Sequence, residues 1–310
     1  MRDCTVALTI RSFDHDGPAM ARLREACRIG YVNRSGKRLG EGDLCRALGG
    51  ADGVIAGTEP FSRRVIDACP DLRVISRVGT GTDSIDREAA ERRGIRVLTT
   101  PDAPVQAVAE HTLALLLAIL KRIPERNELV REGKADAQPG SILAGKTVGI
   151  VGLGRIGRRV AAMLRALGCR VIAYDPFRQG TDPAGVEIRG SLEDLVAGAD
   201  ILTLHAPAQP GNRPILDGRI FSLCRKGVVL VNTARGSLVD EKALIRALED
   251  GTVAGAGLDV FPSEPYTGEL LRFPQLVATP HVASNTRETR REMEMEAVEN
   301  LIAGFSGGAS

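Results

Sequence analysis

Short apolar runs alternate with segments of helical spacing along the whole chain. The runs that indicate strands are 6–10, 54–56, 74–76, 97–99, 147–151, 171–174, 201–204, 228–232, 256–260 and 277–279. Segments such as 155–167 and 241–248 repeat their apolar residues with helical spacing. Strand–helix alternation predicts parallel sheets built from βαβ units. Because a chain of 310 residues exceeds the usual size of one core, we expect two domains.

The pattern changes near residues 101–104. Asp102 can cap, and Pro104 can open, a long helix that continues to about Leu120. Its length and apolar flank suit a connection between domains or a dimer contact. The pattern equally suits an ordinary buried helix of one domain, and it does not choose between them.

Composition narrows the class of protein. The hydrophobic fraction of 43% is ordinary for a globular protein, and a formal charge of only +2 does not suggest an electrostatic nucleic-acid or membrane binder. The longest apolar stretch, 113–120, is far shorter than the roughly 18 residues of a membrane span. The six cysteines contain no CxxC pair and no signal peptide precedes them, so we expect reduced thiols in a soluble, cytoplasmic protein.

A glycine-rich turn supplies the first chemical signal. Strand 147–151 is followed at once by Gly152, Gly154 and Gly157 in the spacing GxGxxG, and then by a helix. The first glycine permits a tight turn, the second lets the backbone approach a pyrophosphate, and the third allows close packing of helix on strand. Arg155 and Ile156 open this helix, whose N-terminus favours an anion.

The next strand ends at Asp175, 18 residues after the third glycine. An acid there can accept hydrogen bonds from the adenosine ribose hydroxyls. A lone GxGxxG is weak evidence, but strand, turn, helix, second strand and acid all occur in order. The sequence therefore predicts a bound dinucleotide, and the acid favours NAD over NADP.

Three polar side chains follow later strands. Arg235, Glu264 and His281 each lie beyond a strand end, where ligands of open α/β sheets bind. Histidine titrates near neutrality and can protonate a carbonyl oxygen, and a carboxylate can fix its tautomer. An arginine fork can hold a carboxylate and polarise the carbonyl. Each residue alone has an ordinary structural explanation, but together they predict reduction of a 2-oxo acid.

The order of these motifs resembles the D-isomer-specific 2-hydroxyacid dehydrogenase family. The shared segments are GxGxxG, Asn-Thr-Ala-Arg-Gly from 232 to 236, Asp-Val-Phe-x-x-Glu-Pro from 259 to 265, and Thr-Pro-His from 279 to 281. The resemblance implies that Arg235 binds substrate, that His281 is the acid/base and that Glu264 is its partner. It also implies substrate contacts from the loop containing Arg77, Val78 and Gly79, whose backbone amides would hold the carboxylate.

The resemblance places further residues around the cofactor. Asp259 would lie near the nicotinamide carboxamide, and His205 with Pro207 would line the cofactor without taking part in catalysis. Thr233 and Ala234, which precede Arg235, are also expected at the cofactor. No metal is expected.

The resemblance also implies a fold of two Rossmann-like, doubly wound parallel-sheet domains with the active site in the cleft between them. Residues 1–101, completed by 283–310, would form the substrate domain, and 102–282 the NAD-binding domain. The family further implies a homodimer without nucleic-acid or membrane partners.

The exact substrate stays open. Segments 77–86 and 146–176 are most similar to the D-3-phosphoglycerate dehydrogenases of the family, which usually have Arg-Ser where this chain has Ala56-Gly57. No regulatory domain is expected after residue 310. Arg77, and with it Arg11, could serve a phosphate, so a phosphorylated or otherwise anionic three-carbon acid ranks slightly ahead of an unphosphorylated one of the glyoxylate or hydroxypyruvate type.

Two other functions fit the same fold. One is a dinucleotide-sensing binding protein similar to the family's corepressors, and the other is a formate dehydrogenase. The presence of Arg235, Glu264 and His281 favours an oxidoreductase acting on a larger carbonyl substrate.

Overall fold

The computed structural model describes residues 4–135, 138–182, 185–208, 211 and 213–306. The chain forms two compact units, one comprising Met1–Pro104 with Asn285–Ser310 and the other Val105–Ser284. Each unit contains one sheet, and every pairing of strands in both sheets is parallel. The predicted fold class of two parallel-sheet α/β domains is therefore confirmed.

The first unit has a five-stranded sheet in the order β2-β1-β3-β4-β5. Its strands are β1 (Thr5–Leu8), β2 (Arg28–Val32), β3 (Gly53–Ala56), β4 (Val74–Arg77) and β5 (Arg96–Thr99). Its helices are α1 (Pro18–Ala26), α2 (Glu41–Ala47), α3 (Arg63–Asp67), α4 (Arg87–Arg92) and, from the end of the chain, α11 (Arg287–Ser306).

Helix α11 completes the first unit by covering one face of its sheet. Val298 and Leu301 are fully buried there, in one apolar cluster with residues of β1, β3 and β4. Two side chains also join helix and sheet: the Ser76 hydroxyl donates to the Ala297 carbonyl at 2.7 Å, and Asn300 Nδ2 donates to the Thr99 carbonyl at 2.9 Å. The final segment of the chain thus fixes the strands that carry the predicted substrate loop.

The second unit has a seven-stranded sheet in the order β12-β11-β10-β9-β6-β7-β8. Its strands are β6 (Thr147–Val151), β7 (Arg170–Tyr174), β8 (Glu187–Ile188), β9 (Ile201–Leu204), β10 (Val228–Asn232), β11 (Val253–Leu258) and β12 (Leu276–Ala278). Its helices are α5 (Val105–Leu120), α6 (Ile123–Arg131), α7 (Arg155–Ala166), α8 (Leu192–Gly198), α9 (Gly218–Phe221) and α10 (Glu241–Glu249).

The long helix α5 is a packed helix of the second unit. A Cβ added at Gly257 would lie 3.0 Å from Ile119 and 3.1 Å from Leu115, and one added at Gly255 would lie 2.6 Å from Ile119. The two glycines of β11 therefore leave the space that α5 fills. One side of α5 is thus buried within the second unit, and a dimer contact made by the rest of the helix stays a prediction.

Two strands were not predicted, and both lie at sheet edges. In β2, exposed and partly buried residues replace the continuous apolar run of a central strand. β8 has only two residues, too few to give a hydrophobic pattern. No helix in the described ranges has both the length and the hydropathy needed to cross a bilayer.

Candidate active site

The glycine turn after β6 is held tightly against the next loop of the second unit. Gly152 has φ of +92°, a conformation that side chains disfavour, and its N–H donates to the Tyr174 carbonyl at 2.8 Å. A Cβ here would come within 2.7 Å of the His205 carbonyl. A Cβ at Gly157 would lie 2.1 Å from the Gly152 carbonyl oxygen, which shows how closely α7 packs on the turn.

The start of α7 is open where the turn feeds into it. A Cβ at Gly154 would meet no atom within 4 Å, and no side chain caps the helix there. Arg155 and Ile156 are the first two residues of α7. The free N–H groups of a helix start and its dipole favour a phosphate at this position.

Asp175 is held at the end of β7 by backbone groups. Its Oδ2 accepts from the Leu153 N–H in the glycine turn at 2.9 Å, and its Oδ1 accepts from the Phe177 N–H at 3.0 Å. Arg178 lies 4.0 Å from the same carboxylate. Asp175, the residue predicted to bind the ribose, is therefore fixed beside the glycine turn that is predicted to bind the pyrophosphate.

The glycine turn and Asp175 together form a cradle that fits a dinucleotide. The open position at Gly154 leaves room for a pyrophosphate, the start of α7 offers donors, and Asp175 offers an acceptor one strand away. Within the described residues, no group of three or more His, Cys, Asp or Glu residues is arranged to hold a metal ion.

The loop after β9 carries His205 and Pro207. The His205 ring contacts the Thr203 hydroxyl through Nε2 at 3.0 Å, and burial lowers the pKa of His205 to about 3. A histidine that stays neutral near pH 7 is a poor proton donor, and the expected lining role of His205 stays a prediction. Pro207 is exposed on the same loop.

The loop after β10 is pinned by Asn232, which is fully buried. Its Oδ1 accepts from the Ala234 N–H at 3.0 Å, and its Nδ2 donates to the Arg235 carbonyl at 2.8 Å. The Thr233 hydroxyl meets that of Thr112 on α5 at 2.9 Å. Arg235 is thus presented from a rigid turn at the carboxyl end of its strand.

Glu264 and His281 form a direct pair. His281 Nδ1 lies 2.8 Å from Glu264 Oε2, and because a carboxylate only accepts, Nδ1 carries the hydrogen. Glu264 Oε1 accepts from the Phe261 N–H at 3.2 Å. The backbone of Phe261 in turn packs on Gly236, where a Cβ would lie 2.0 Å from the Phe261 carbonyl carbon. These contacts link the Arg235 turn to the histidine–carboxylate pair.

The backbone of His281 is in the left-handed region, with φ of +55°. Its N–H donates to the Asp259 carbonyl at 2.8 Å and to the Thr279 carbonyl at 3.1 Å. Non-glycine residues rarely adopt this conformation, and it persists where surrounding contacts impose it, often at functional sites.

Those contacts come mainly from Asp259, whose side chain is fully buried. Its Oδ1 accepts from the Thr279 hydroxyl at 2.6 Å and from the Val282 N–H at 2.8 Å, and its Oδ2 accepts from the Ala283 N–H at 2.9 Å. Burial raises the pKa of this carboxyl, but these hydrogen bonds, together with the nearby His111 imidazole, outweigh that effect and lower the pKa overall. Asp259 therefore holds the backbone on both sides of His281, a role that the sequence did not predict. Its expected position near the nicotinamide carboxamide stays a prediction.

His111 and Thr279 were also missed as functional residues. His111 Nε2 lies 2.9 Å from Thr279 Oγ1 and 3.5 Å from Asp259 Oδ1. Because the Thr279 hydroxyl donates to Asp259, we infer that His111 donates to Thr279. A chain of hydrogen bonds thus runs from α5 to the loop of His281. The available signal was a histidine at 111 within a largely apolar helix.

The loop after β4 carries the predicted substrate residues of the first unit. The Val78 N–H donates to the Ala56 carbonyl at 2.9 Å, and the Gly79 N–H donates to Thr100 Oγ1 at 2.7 Å. Both amides predicted to hold the carboxylate are therefore already engaged within the protein. The guanidinium of Arg77 lies against Gly79, where an added Cβ would be 1.5 Å from Nη1.

Comparison with known proteins agrees with this geometry. Residues 113–283 match the model of the D-isomer specific 2-hydroxyacid dehydrogenase, NAD binding domain. A D-3-phosphoglycerate dehydrogenase of Mycobacterium tuberculosis is 40% identical over 248 residues, which cover 78% of this chain and 47% of that protein. The chain thus spans about half the length of the curated relatives that it matches.

Two solved structures cover nearly the whole chain. A glyoxylate reductase of Paecilomyes thermophila is 30% identical with a TM-score of 0.90, covering 99% of this chain and 97% of that one. An NADPH-dependent glyoxylate/hydroxypyruvate reductase of Sinorhizobium meliloti is 31% identical with a TM-score of 0.86, covering 99% and 96%. The chain belongs to the D-isomer specific 2-hydroxyacid dehydrogenase family, and its second unit contains the family's NAD-binding domain.

Proposed function

We propose that the protein is an NAD-dependent oxidoreductase that interconverts a D-2-hydroxy acid and its 2-oxo acid. The observation that carries this proposal is the pair formed by His281 and Glu264. Nδ1 is bound to the carboxylate, half of the imidazole side chain is exposed, and Nε2 has no hydrogen-bond partner in the part of the chain that the structure describes. This nitrogen is therefore available to a substrate oxygen.

The pair accounts for the proton in the reaction. In the direction of reduction, His281 Nε2 donates a proton to the carbonyl oxygen, while Glu264 stabilises the imidazolium and fixes its orientation. NADH, when bound, supplies the hydride to the second carbon. In the reverse direction the same nitrogen accepts the hydroxyl proton.

The substrate carboxylate needs cationic and backbone donors. Arg235 supplies a guanidinium from its rigid turn, and we propose that it holds the carboxylate and polarises the carbonyl. Since the Val78 and Gly79 amides are engaged, we assign the backbone contacts of the first unit to Thr80 and Gly81. Their N–H groups make no hydrogen bond in the described ranges.

Substrate binding, location and oligomeric state are proposed on the same basis. We assign substrate binding to the first unit and expect a cytoplasmic homodimer without nucleic-acid or membrane partners. Apolar side chains exposed around α6, namely Ile123 and Val130, together with Ile142, support a subunit contact. A dinucleotide sensor on this fold would not need the His281–Glu264 pair, and turnover of any 2-oxo acid by NADH would exclude a sensor without catalytic activity.

The His281–Glu264 pair can be tested by substitution. We expect His281→Ala to lower kcat for 2-oxo acid reduction by about 10²- to 10⁴-fold while NADH binding, measured by fluorescence, is kept. Glu264→Gln should lower kcat about tenfold, because the amide oxygen can still accept from Nδ1 but carries no charge to stabilise the imidazolium. A kcat equal to the parent's would remove Glu264 from this role.

The chain from His111 to Asp259 can be tested at Thr279. Thr279→Val keeps the shape of the side chain but removes the hydroxyl between His111 and Asp259. We expect kcat to fall about tenfold, in keeping with the loss of a hydrogen bond to a charged group, with little change in KM. Thr279→Ser should restore kcat. Thr252→Val serves as the control, because Thr252 precedes the amino end of β11 and the site lies beyond its carboxyl end. Equal kcat in Thr279→Val and the control would contradict the positioning role.

We expect Asp175 to make the enzyme prefer NADH over NADPH. Its carboxylate can accept from the ribose 2′-hydroxyl and repels a 2′-phosphate, so we expect kcat/KM to be at least about tenfold higher with NADH than with NADPH. Asp175→Ser should narrow this ratio, whereas Asp194→Ser on α8 should not. Comparable kcat/KM for the two cofactors in the parent enzyme would show that Asp175 does not select NAD.

A further inference from the structure

Two cysteines lie opposite each other at the amino ends of the first two strands. Cys4 directly precedes β1, and Cys27 directly precedes β2. The strands pair with Thr5 opposite Arg28, so the same register puts Cys4 opposite Cys27. The Arg28 N–H donates to the Cys4 carbonyl at 2.9 Å, which shows that the pairing extends to the two cysteines.

The register also decides the direction of the two side chains. Partners in a parallel pair share a face of the sheet, as Thr5 and Arg28 show, because Arg28 Nη2 donates to Thr5 Oγ1 at 2.8 Å. One residue earlier, Cys4 and Cys27 therefore share the opposite face, where Cys27 lies in one apolar cluster with Val6. Neighbouring strands are about 4.8 Å apart, within the roughly 4.4–6.8 Å that separates the Cα atoms of a disulfide.

The Cys4 sulfur lies beside a guanidinium. The Thr5 N–H donates to Asp52 Oδ2 at 2.8 Å, and Asp52 Oδ1 accepts from Arg73 Nη2 at 3.0 Å. The same Arg73 nitrogen donates to Cys4 Sγ at 3.4 Å. Cys4 is also partly exposed. Partly exposed cysteines beside a cation are the ones that attack oxidants.

Cys27 differs from Cys4 in its surroundings. It is only 5% exposed. Burial, and after it the neighbouring Cys4 sulfur, raises the pKa of the Cys27 thiol. A buried thiol that keeps its proton attacks a free oxidant slowly, but it can react with an oxidised sulfur beside it.

We propose that Cys4 and Cys27 form a redox-active dithiol, a modification site for peroxides that closes into a disulfide between β1 and β2. The Cys4 sulfur attacks one peroxide oxygen and the O–O bond breaks, which gives a sulfenic acid and one water. The Cys27 sulfur then attacks the Cys4 sulfur, the S–O bond breaks, and the disulfide and a second water form. The two sulfurs together lose two electrons to the peroxide, and the two thiol protons leave in the waters.

The disulfide acts on stability and not on turnover. It closes the chain between residues 4 and 27 and thereby restricts the unfolded state. The pair lies at the amino ends of β1 and β2, whereas the proposed substrate loop follows the carboxyl end of β4. In a parallel sheet these are opposite edges, so we expect the proposed reaction to continue in the oxidised protein.

The test treats the reduced, folded protein with hydrogen peroxide and maps disulfides by mass spectrometry of peptides under non-reducing conditions. Melting temperatures are measured before oxidation, after it and after dithiothreitol. Cys4→Ser and Cys27→Ala each remove one thiol. Cys45→Ser is the control, because Cys45 is a partly buried cysteine of the same unit and packs against the apolar cluster that contains Cys69. Dimedone, which labels sulfenic acids, identifies the sulfur that is oxidised first.

In the parent and in the control we expect peptides joined through Cys4 and Cys27. The melting temperature should rise by at least about 3 °C on oxidation, and dithiothreitol should reverse the rise. Cys27→Ala should collect dimedone at Cys4 without a rise in melting temperature. Cys4→Ser should show neither a rise nor dimedone at Cys27.

A folded parent that forms no linkage between Cys4 and Cys27 would overturn the proposal, whether or not other thiols are oxidised and even if a variant fails to fold. A linkage that leaves the melting temperature unchanged would overturn the stabilising role. Dimedone at Cys27 in Cys4→Ser would overturn the order of the two steps.

Discussion

The buried carboxylate of Asp259 fixes the loop that carries His281, the proposed proton donor. A charge without access to water is tolerated only where hydrogen bonds replace its hydration, and the Thr279 hydroxyl and the Val282 and Ala283 N–H groups supply them. Because those groups lie on both sides of His281, satisfying the carboxylate also sets the histidine in its left-handed conformation. The buried Asp259 carboxylate therefore fixes the backbone that carries the imidazole, although the imidazole itself is half exposed.

The two halves of the site in the second unit follow from the same parallel topology. At the carboxyl ends of β6 and β7, the glycine turn, the start of α7 and Asp175 form a cradle for a dinucleotide. At the ends of β10, β11 and β12, Asn232 pins the Arg235 turn and Glu264 orients His281. Backbone contacts between neighbouring loops, such as Gly236 against Phe261, keep the second group together.

Sequence predicted the central strands because each is largely buried and mostly apolar. Of the four edge strands, β5 and β12 are short apolar runs and were predicted, whereas β2 is interrupted by Gly30 and β8 has only two residues. For the candidate site, the order of the motifs predicted Arg235, Glu264 and His281 as catalytic residues. This was possible because the chemistry of each follows from its residue type and its position after a strand. Asp259, His111 and Thr279 act through contacts between distant segments, which cannot be read from local spacing. The same limit applies to the engaged amides of Val78 and Gly79.

The proposed reaction delivers hydride to the second carbon of a 2-oxo acid and gives the D-isomer. It can be followed by reducing hydroxypyruvate or glyoxylate with NADH that carries deuterium on the transferable side of C4. Mass spectrometry then locates the label, and chiral chromatography identifies the product of hydroxypyruvate reduction. We predict one deuterium on the second carbon of either product and the D-isomer from hydroxypyruvate. An unlabelled product, or the L-isomer, would contradict the proposed reaction.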